Sequence, residues 1–141
     1  MALPTASVSA ARLTATVPAL LIASVGSSTV TVRTPSPGGG PSNPETFVII
    51  TPVPVLTSIS PNSERAGASQ FDLLLAGSGF VPTSTVLWNG DVTDTIFVSS
   101  TELKAVVYAA MVQKAGSVTV TVTTPAPGGG TSKTISFAIT D

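Results

Sequence analysis

Apolar side chains in this chain recur at every second position in short runs, and the runs are separated by glycine, proline, asparagine and serine. That period of two belongs to strands with one face buried, since successive side chains on a strand point to opposite sides. Ser117–Thr124 is the clearest case, with Val118, Val120 and Val122 on one face and Thr119, Thr121 and Thr123 on the other. Strand signals at regular intervals, separated by turn residues, predict further strands over Val55–Ile59, Gln70–Ala76, Thr85–Trp88, Thr95–Val98, Leu103–Val107 and Thr134–Ile139. Ser60-Pro61-Asn62-Ser63 closes the first, Gly77-Ser78-Gly79 breaks the second, and Asn89-Gly90, a pair that tolerates the positive φ of a tight turn, ends the third. No amphipathic helix is expected beyond a turn at Ala109–Gln113. About seven strands of this spacing predict an all-β fold, an immunoglobulin-like two-sheet sandwich.

The pattern also repeats. Met1–Thr51 aligns without a gap onto Asp91–Asp141 at an offset of 90, with 22 identities in 51 positions. Thr29-Val30-Thr31-Val32 returns as Thr119-Val120-Thr121-Val122, and Pro35-Ser36-Pro37-Gly38-Gly39-Gly40 returns as Pro125-Ala126-Pro127-Gly128-Gly129-Gly130. Such a period is long for a solenoid and suits a string of small domains. The chain is therefore divided into residues 1–51, the C-terminal half of a repeat, and residues 52–141, a complete copy. The half copy is a half-sandwich of about four strands, without counterparts of the first three. It cannot close a core, and Val30, Val32, Phe47 and Ile49 are expected to be exposed and available for inter-chain contact. Each large side chain left in water forgoes about 1.5–3 kcal/mol. Pro44 and Glu45 stand where the complete copy has Thr134 and Ile135, so the last strand of the half copy is expected to start near Thr46.

Several segments resemble the IPT/TIG domain of the bacterial tandem-repeat type. They are Leu56-Thr57-Ser58-Ile59-Ser60-Pro61-Asn62-Ser63, Gly67, Leu75-Ala76-Gly77-Ser78-Gly79-Phe80, Val86-Leu87-Trp88-Asn89-Gly90, Val98-Ser99-Ser100-Thr101-Glu102-Leu103 and Gly116–Val122. The resemblance covers Val53–Asp141 and implies an immunoglobulin-like fold; it says little about activity. Family members that act as transcription factors bind DNA through basic loops, whereas Pro61–Gly67 and Gly77–Pro82 carry Arg65 as their one cation. Bacterial members occur in tandem arrays as spacers or adhesive stalks, or beside catalytic domains acting on polysaccharides. The resemblance thus implies a structural, adhesive or assembly module of an extracellular or cell-surface repeat protein. A carbohydrate-binding accessory domain and a virion or appendage component are the alternatives.

Composition narrows the chemistry. Charged residues make up 9% of the chain and the net charge is −1, so no basic field is available for nucleic acid. Histidine and cysteine are both absent, which removes the usual general base, the common nucleophile pairings and the thiolate and imidazole metal ligands. An enzyme is not expected, nor a cofactor or metal. Val17–Ser24 is apolar but aligns with Val107–Lys114 inside the complete copy, so it reads as domain and not as a signal peptide; membrane insertion is not expected. The expected partners are neighbouring repeats or a second copy through the half domain, with a glycan or another surface protein beside them. Trp88 and Tyr108 are the candidate ligand contacts, although a sandwich usually buries a large aromatic such as Trp88. Asp91 and Asp94 lack the dense oxygen ligands of a calcium loop. Lys104, Lys114 and Lys133 show no pattern that specifies an isopeptide bond with Asn62 or Asn89. The proline- and glycine-rich segments lack the following helix of a phosphate cradle and read as hairpin loops.

Overall fold

The computed structural model covers Met1–Asp141 and divides into two compact units, Met1–Ile49 and Ile50–Asp141. Unit 1 consists of local hairpins. Strand β1 (Thr5–Ser9) pairs antiparallel with β2 (Arg12–Ala15), and a 3-10 turn follows at Ala19–Ile22. Strand β3 (Gly26–Val30) pairs with β6 (Glu45–Ile49), and between them lies the short ladder of β4 (Arg33–Thr34) and β5 (Gly40–Pro41). No residue of this unit is buried; Leu3 and Ile49 are half-buried and the others are exposed.

Unit 2 is a closed two-sheet sandwich of the immunoglobulin-like type. In chain order its strands are β7 (Val55–Ser60), β8 (Ser63–Arg65), β9 (Phe71–Ser78), β10 (Thr85–Trp88) and β11 (Asp91–Thr93). They continue with β12 (Thr95–Ser99), β13 (Glu102–Val107), β14 (Gly116–Thr124), β15 (Gly130–Thr131) and β16 (Ile135–Thr140). One sheet runs β12-β13-β9-β7, and the other runs β11-β10-β14-β16-β8 with β15 added to β14. All pairings are antiparallel except β8 with β16. The seven strands expected from the sequence are all present, joined by the short β8, β11 and β15.

The alternation places the core. Leu73 and Leu75 of β9, Leu103, Ala105 and Val107 of β13, and Val120 and Val122 of β14 are wholly buried, as is Phe137 of β16. Trp88 tilts against Phe137 with ring centroids 5.0 Å apart, and Phe71 stacks on the same ring at 5.9 Å. The buried hydroxyls of Ser84 and Thr124 are 2.8 Å apart, and Ser84 Oγ also accepts the Val81 N–H at 3.0 Å. Asn89 and Gly90 both take positive φ, 52° and 93°, and make the two-residue hairpin between β10 and β11.

Two sequence expectations are corrected, and one expected strand proves irregular. Gly77 does not break its strand, because β9 continues to Ser78; the glycine is needed where a Cβ would lie 1.9 Å from the Val55 carbonyl oxygen on β7. Strand β7 does not alternate strictly. A bulge between Leu56 and Ser58 shifts the register, so that Leu56 and Ile59 both face the core. Finally, β6 starts at Glu45 and not near Thr46, with Glu45 opposite Val30 as Ile135 is opposite Val120. The ladder is made by backbone groups, and the Glu45 side chain stays exposed, where Asn43 Nδ2 donates to its Oε1 at 3.3 Å. No buried apolar neighbour penalises the charge.

Candidate functional site

Unit 1 reproduces the hydrogen-bond register of half of unit 2. The pairs Thr5↔Ala15, Ala6↔Thr14, Ser7↔Leu13 and Ser9↔Arg12 have counterparts in Thr95↔Ala105, Ile96↔Lys104, Phe97↔Leu103 and Ser99↔Glu102, with the register shift at the same place. The ladder from Gly26↔Ile49 to Val30↔Glu45 matches the one from Gly116↔Ile139 to Val120↔Ile135. Finer details follow. The Val32 N–H donates to Ser42 Oγ at 3.0 Å and the Val122 N–H to Ser132 Oγ at 2.9 Å. Both loops that follow carry a cis proline, at Ser36-Pro37 and Ala126-Pro127.

What differs is cover. Leu13, Val17, Val30, Val32 and Phe47 are exposed, whereas their counterparts Leu103, Val107, Val120, Val122 and Phe137 are wholly buried. Phe47 is 47% exposed and Phe137 0%. Of the four residues expected at an inter-chain contact, Val30, Val32 and Phe47 are exposed and Ile49 is half-buried. The missing cover also changes the backbone. Strand β14 is continuous because Thr121 and Val122 pair with Leu87 and Val86 of β10. The identical Thr31-Val32 of unit 1 falls in the gap between β3 and β4. A strand that lacks its neighbour loses its ladder there, although its sequence is the same.

Sequence reasoning missed one feature. In unit 2 the loop Pro125–Gly130 does more than reverse the chain: it holds the segment that enters the domain. The Thr51 N–H and Oγ1 both donate to the Pro127 carbonyl, at 3.0 and 2.9 Å, and the Gly129 N–H donates to the Thr51 carbonyl at 2.9 Å. A Cβ on Gly128 would lie 2.4 Å from the Thr51 oxygen. In unit 1 the corresponding loop forms an open depression lined by Val32, Thr34, Gly38, Gly39, Gly40, Pro41 and Ser42. The signal was present in the recurrence of the whole motif, but a hairpin loop needs only one or two glycines, and that reading hid the rest.

The other candidate residues do not converge. Trp88 is 5% exposed and committed to Phe137, so it offers no free face to a sugar ring; its strand turns it into the core. Tyr108 is 40% exposed, and its hydroxyl donates to Asp94 Oδ2. That hydrogen bond, helped by partial desolvation and the carboxylate's charge, raises the phenol pKa above its ordinary value. Asp91 is exposed at the far end of the hairpin, and no three acidic side chains gather where they would hold a metal ion. Lys104 pairs instead with Asp72 Oδ2 at 2.7 Å across β13 and β9, an exposed pair of the kind that contributes at most about 1 kcal/mol.

Comparison with known families decides the kinship. The IPT/TIG domain family model matches residues 54–139, well over half of the chain. The chain belongs to the IPT/TIG family. Among solved structures, the TIG domain of human nuclear factor of activated T-cells, cytoplasmic 4, is similar at 21% identity and a TM-score of 0.49, covering 62% of this chain and 88% of that one. No curated protein matches the sequence. IPT/TIG domains are immunoglobulin-like modules and are generally non-catalytic. The matched residues coincide with the closed sandwich of unit 2 and its buried Trp88–Phe137 pair, while the exposed Leu13, Val17, Val30, Val32 and Phe47 lie outside the match. No helix is long and apolar enough to cross a membrane.

Proposed function

We propose that this protein is a non-catalytic structural and assembly module of an IPT/TIG repeat protein displayed outside the cell or on a surface. In this reading unit 1 is the trailing half of a second repeat, and its apolar face is an assembly face that another chain segment covers. One observation carries the reading: unit 1 repeats the ladder register of the trailing half of unit 2 pair for pair, while every counterpart of a wholly buried apolar residue is exposed. Leaving such a face in water is costly, and covering it is the source of its affinity. The low charge and the serine- and threonine-rich strands support a role in display and spacing over one that depends on an electrostatic field.

Light scattering coupled to size-exclusion chromatography tests this over a range of concentrations. Self-association that grows with concentration is expected for the full chain, and Phe47→Asp should abolish it without altering unit 2. If the full chain and the variant run as identical monomers at every concentration, and the face takes up no leading-half polypeptide offered to it, the apolar face is not an assembly face.

A further inference from the structure

We infer that the occupant of unit 1 is the leading half of an IPT/TIG repeat, a segment with the length and chemistry of Ile50–Trp88, seated in the register that Ile50–Trp88 takes in unit 2. The inference rests on the reading of unit 1 as an assembly face and names what that face receives.

Three separate features of unit 1 fit this occupant. The first is a free strand edge. In unit 2, β13 pairs with β9 from Glu102↔Ala76 to Val107↔Phe71, burying Leu103, Ala105 and Val107. Unit 1 carries the same three residues as Leu13, Ala15 and Val17, and the free edge of β2 has no strand in the place of β9. The second is the interrupted strand. Val120, Thr121 and Val122 pair with Trp88, Leu87 and Val86, and the identical Val30, Thr31 and Val32 await a strand in the place of β10. An occupant there brings an aromatic ring onto Phe47, as Trp88 lies on Phe137.

The third feature is polar and sets the register at the point of entry. The open depression at Val32–Ser42 corresponds to the loop that grips Thr51 in unit 2. Gly39 has the glycine that Gly129 uses to donate to the Thr51 carbonyl, and Pro37 has the carbonyl that Pro127 offers to Thr51. Thr34 stands where Thr124 meets the Ser84 hydroxyl. The occupant therefore needs a hydroxyl residue at the places of Thr51 and Ser84, besides alternating apolar residues at those of Leu73, Leu75 and Val86. A merely greasy partner satisfies none of these polar positions.

A simple exchange between copies of this chain does not satisfy them either. Within residues 1–141 the one leading half is already closed on its own trailing half, and the second trailing half is open. Moving the leading half from one trailing half to another leaves as many open faces as before, so the exchange buries no additional surface. The occupant is a leading half not already held by a trailing half of its own.

The test adds a synthetic polypeptide with the sequence of residues 50–90 to the full chain and follows the mixture by native mass spectrometry and residue-resolved amide exchange. One polypeptide per chain is expected, with exchange at Arg12–Val17 and Val30–Arg33 slowed at least about tenfold, the free-energy equivalent of about 1.4 kcal/mol. Phe47→Asp in the full chain, or Leu73→Asp with Leu75→Asp in the polypeptide, should prevent both effects. Failure to bind overturns the proposed occupant, as does equal binding by Ile50–Asp141 alone, which would mean exchange into unit 2. If binding fails but self-association through Phe47 persists, the assembly face stands with a different occupant, such as unit 1 of a second copy. If both fail, the assembly reading falls with it.

Discussion

Phe47 and Phe137 occupy the same ladder position in two copies of one hairpin, opposite Ser28 and Val118, yet Phe137 is wholly buried between Trp88 and Phe71 while Phe47 stands open to solvent. Their backbones are paired alike, so the difference in environment comes from β9 and β10, which bring Phe71 and Trp88 onto Phe137 and leave Phe47 open. The pair is an internal control for what the core contributes. Phe137→Ala should destabilise unit 2 by about 3–5 kcal/mol, the usual cost of emptying a packed aromatic site. Phe47→Ala should change it by less than about 0.5 kcal/mol. Denaturant unfolding read through the fluorescence of Trp88, the lone tryptophan, measures both.

The buried hydroxyl pair gives a second test. Ser84→Ala leaves the Thr124 hydroxyl without its partner in the core and should cost about 1–3 kcal/mol. Replacing both, with Ser84→Ala and Thr124→Val, should cost less than the sum of the single changes, because neither hydroxyl is then left without the other and only the Val81 N–H loses its acceptor. Chemical unfolding of the four proteins in the cycle decides it; strict additivity would mean that the two hydroxyls do not support each other.

Tyr108 is the one tyrosine of the chain, so its titration can be read directly from the ultraviolet absorbance of the phenolate. Its hydrogen bond to Asp94 holds the proton, and the midpoint should lie above the ordinary value of 10.0. Asp94→Asn should bring it down. The sign for stability follows from linkage. The folded state keeps the proton longer than the unfolded state, so this contribution is fully present below pH 10 and is lost as pH rises from there through the raised folded value.

Much of unit 2 was legible because its strands bury one face. Wherever that holds, as at Val118–Val122 or Leu103–Val107, the period of two survives in the sequence. It fails at Leu56 and Ile59, where a bulge moves two residues three apart onto the same side. It fails differently at Gly77, whose small size serves a close approach to β7 and not the end of a strand. Glu45 misled for a third reason: a ladder depends on backbone pairing, and a charge at the strand's first position is harmless where nothing apolar covers it. The exposure of Val30, Val32 and Phe47 was legible through the repeat, since residues 1–51 align with Asp91–Asp141 and not with the strands that cover them. The grip of the Pro125–Gly130 loop on Thr51 was not, because it joins residues 74 to 78 positions apart and the loop takes part only through main-chain groups.

The central claim is that unit 1 is a trailing half without its leading strands, and Thr29–Val32 against Thr119–Val122 tests it most directly. The two tetrapeptides are identical, so from the second residue onward their intrinsic amide exchange rates are matched by their neighbours. Hydrogen exchange of the dilute, monomeric chain, resolved by residue, should show Thr121 and Val122 protected by the closed sandwich. Their protection should exceed that of Thr31 and Val32 by roughly a thousandfold or more, since opening a small domain costs about 5 kcal/mol or more. Equal protection of the two pairs in the monomer would mean that unit 1 is already closed, and would contradict the account.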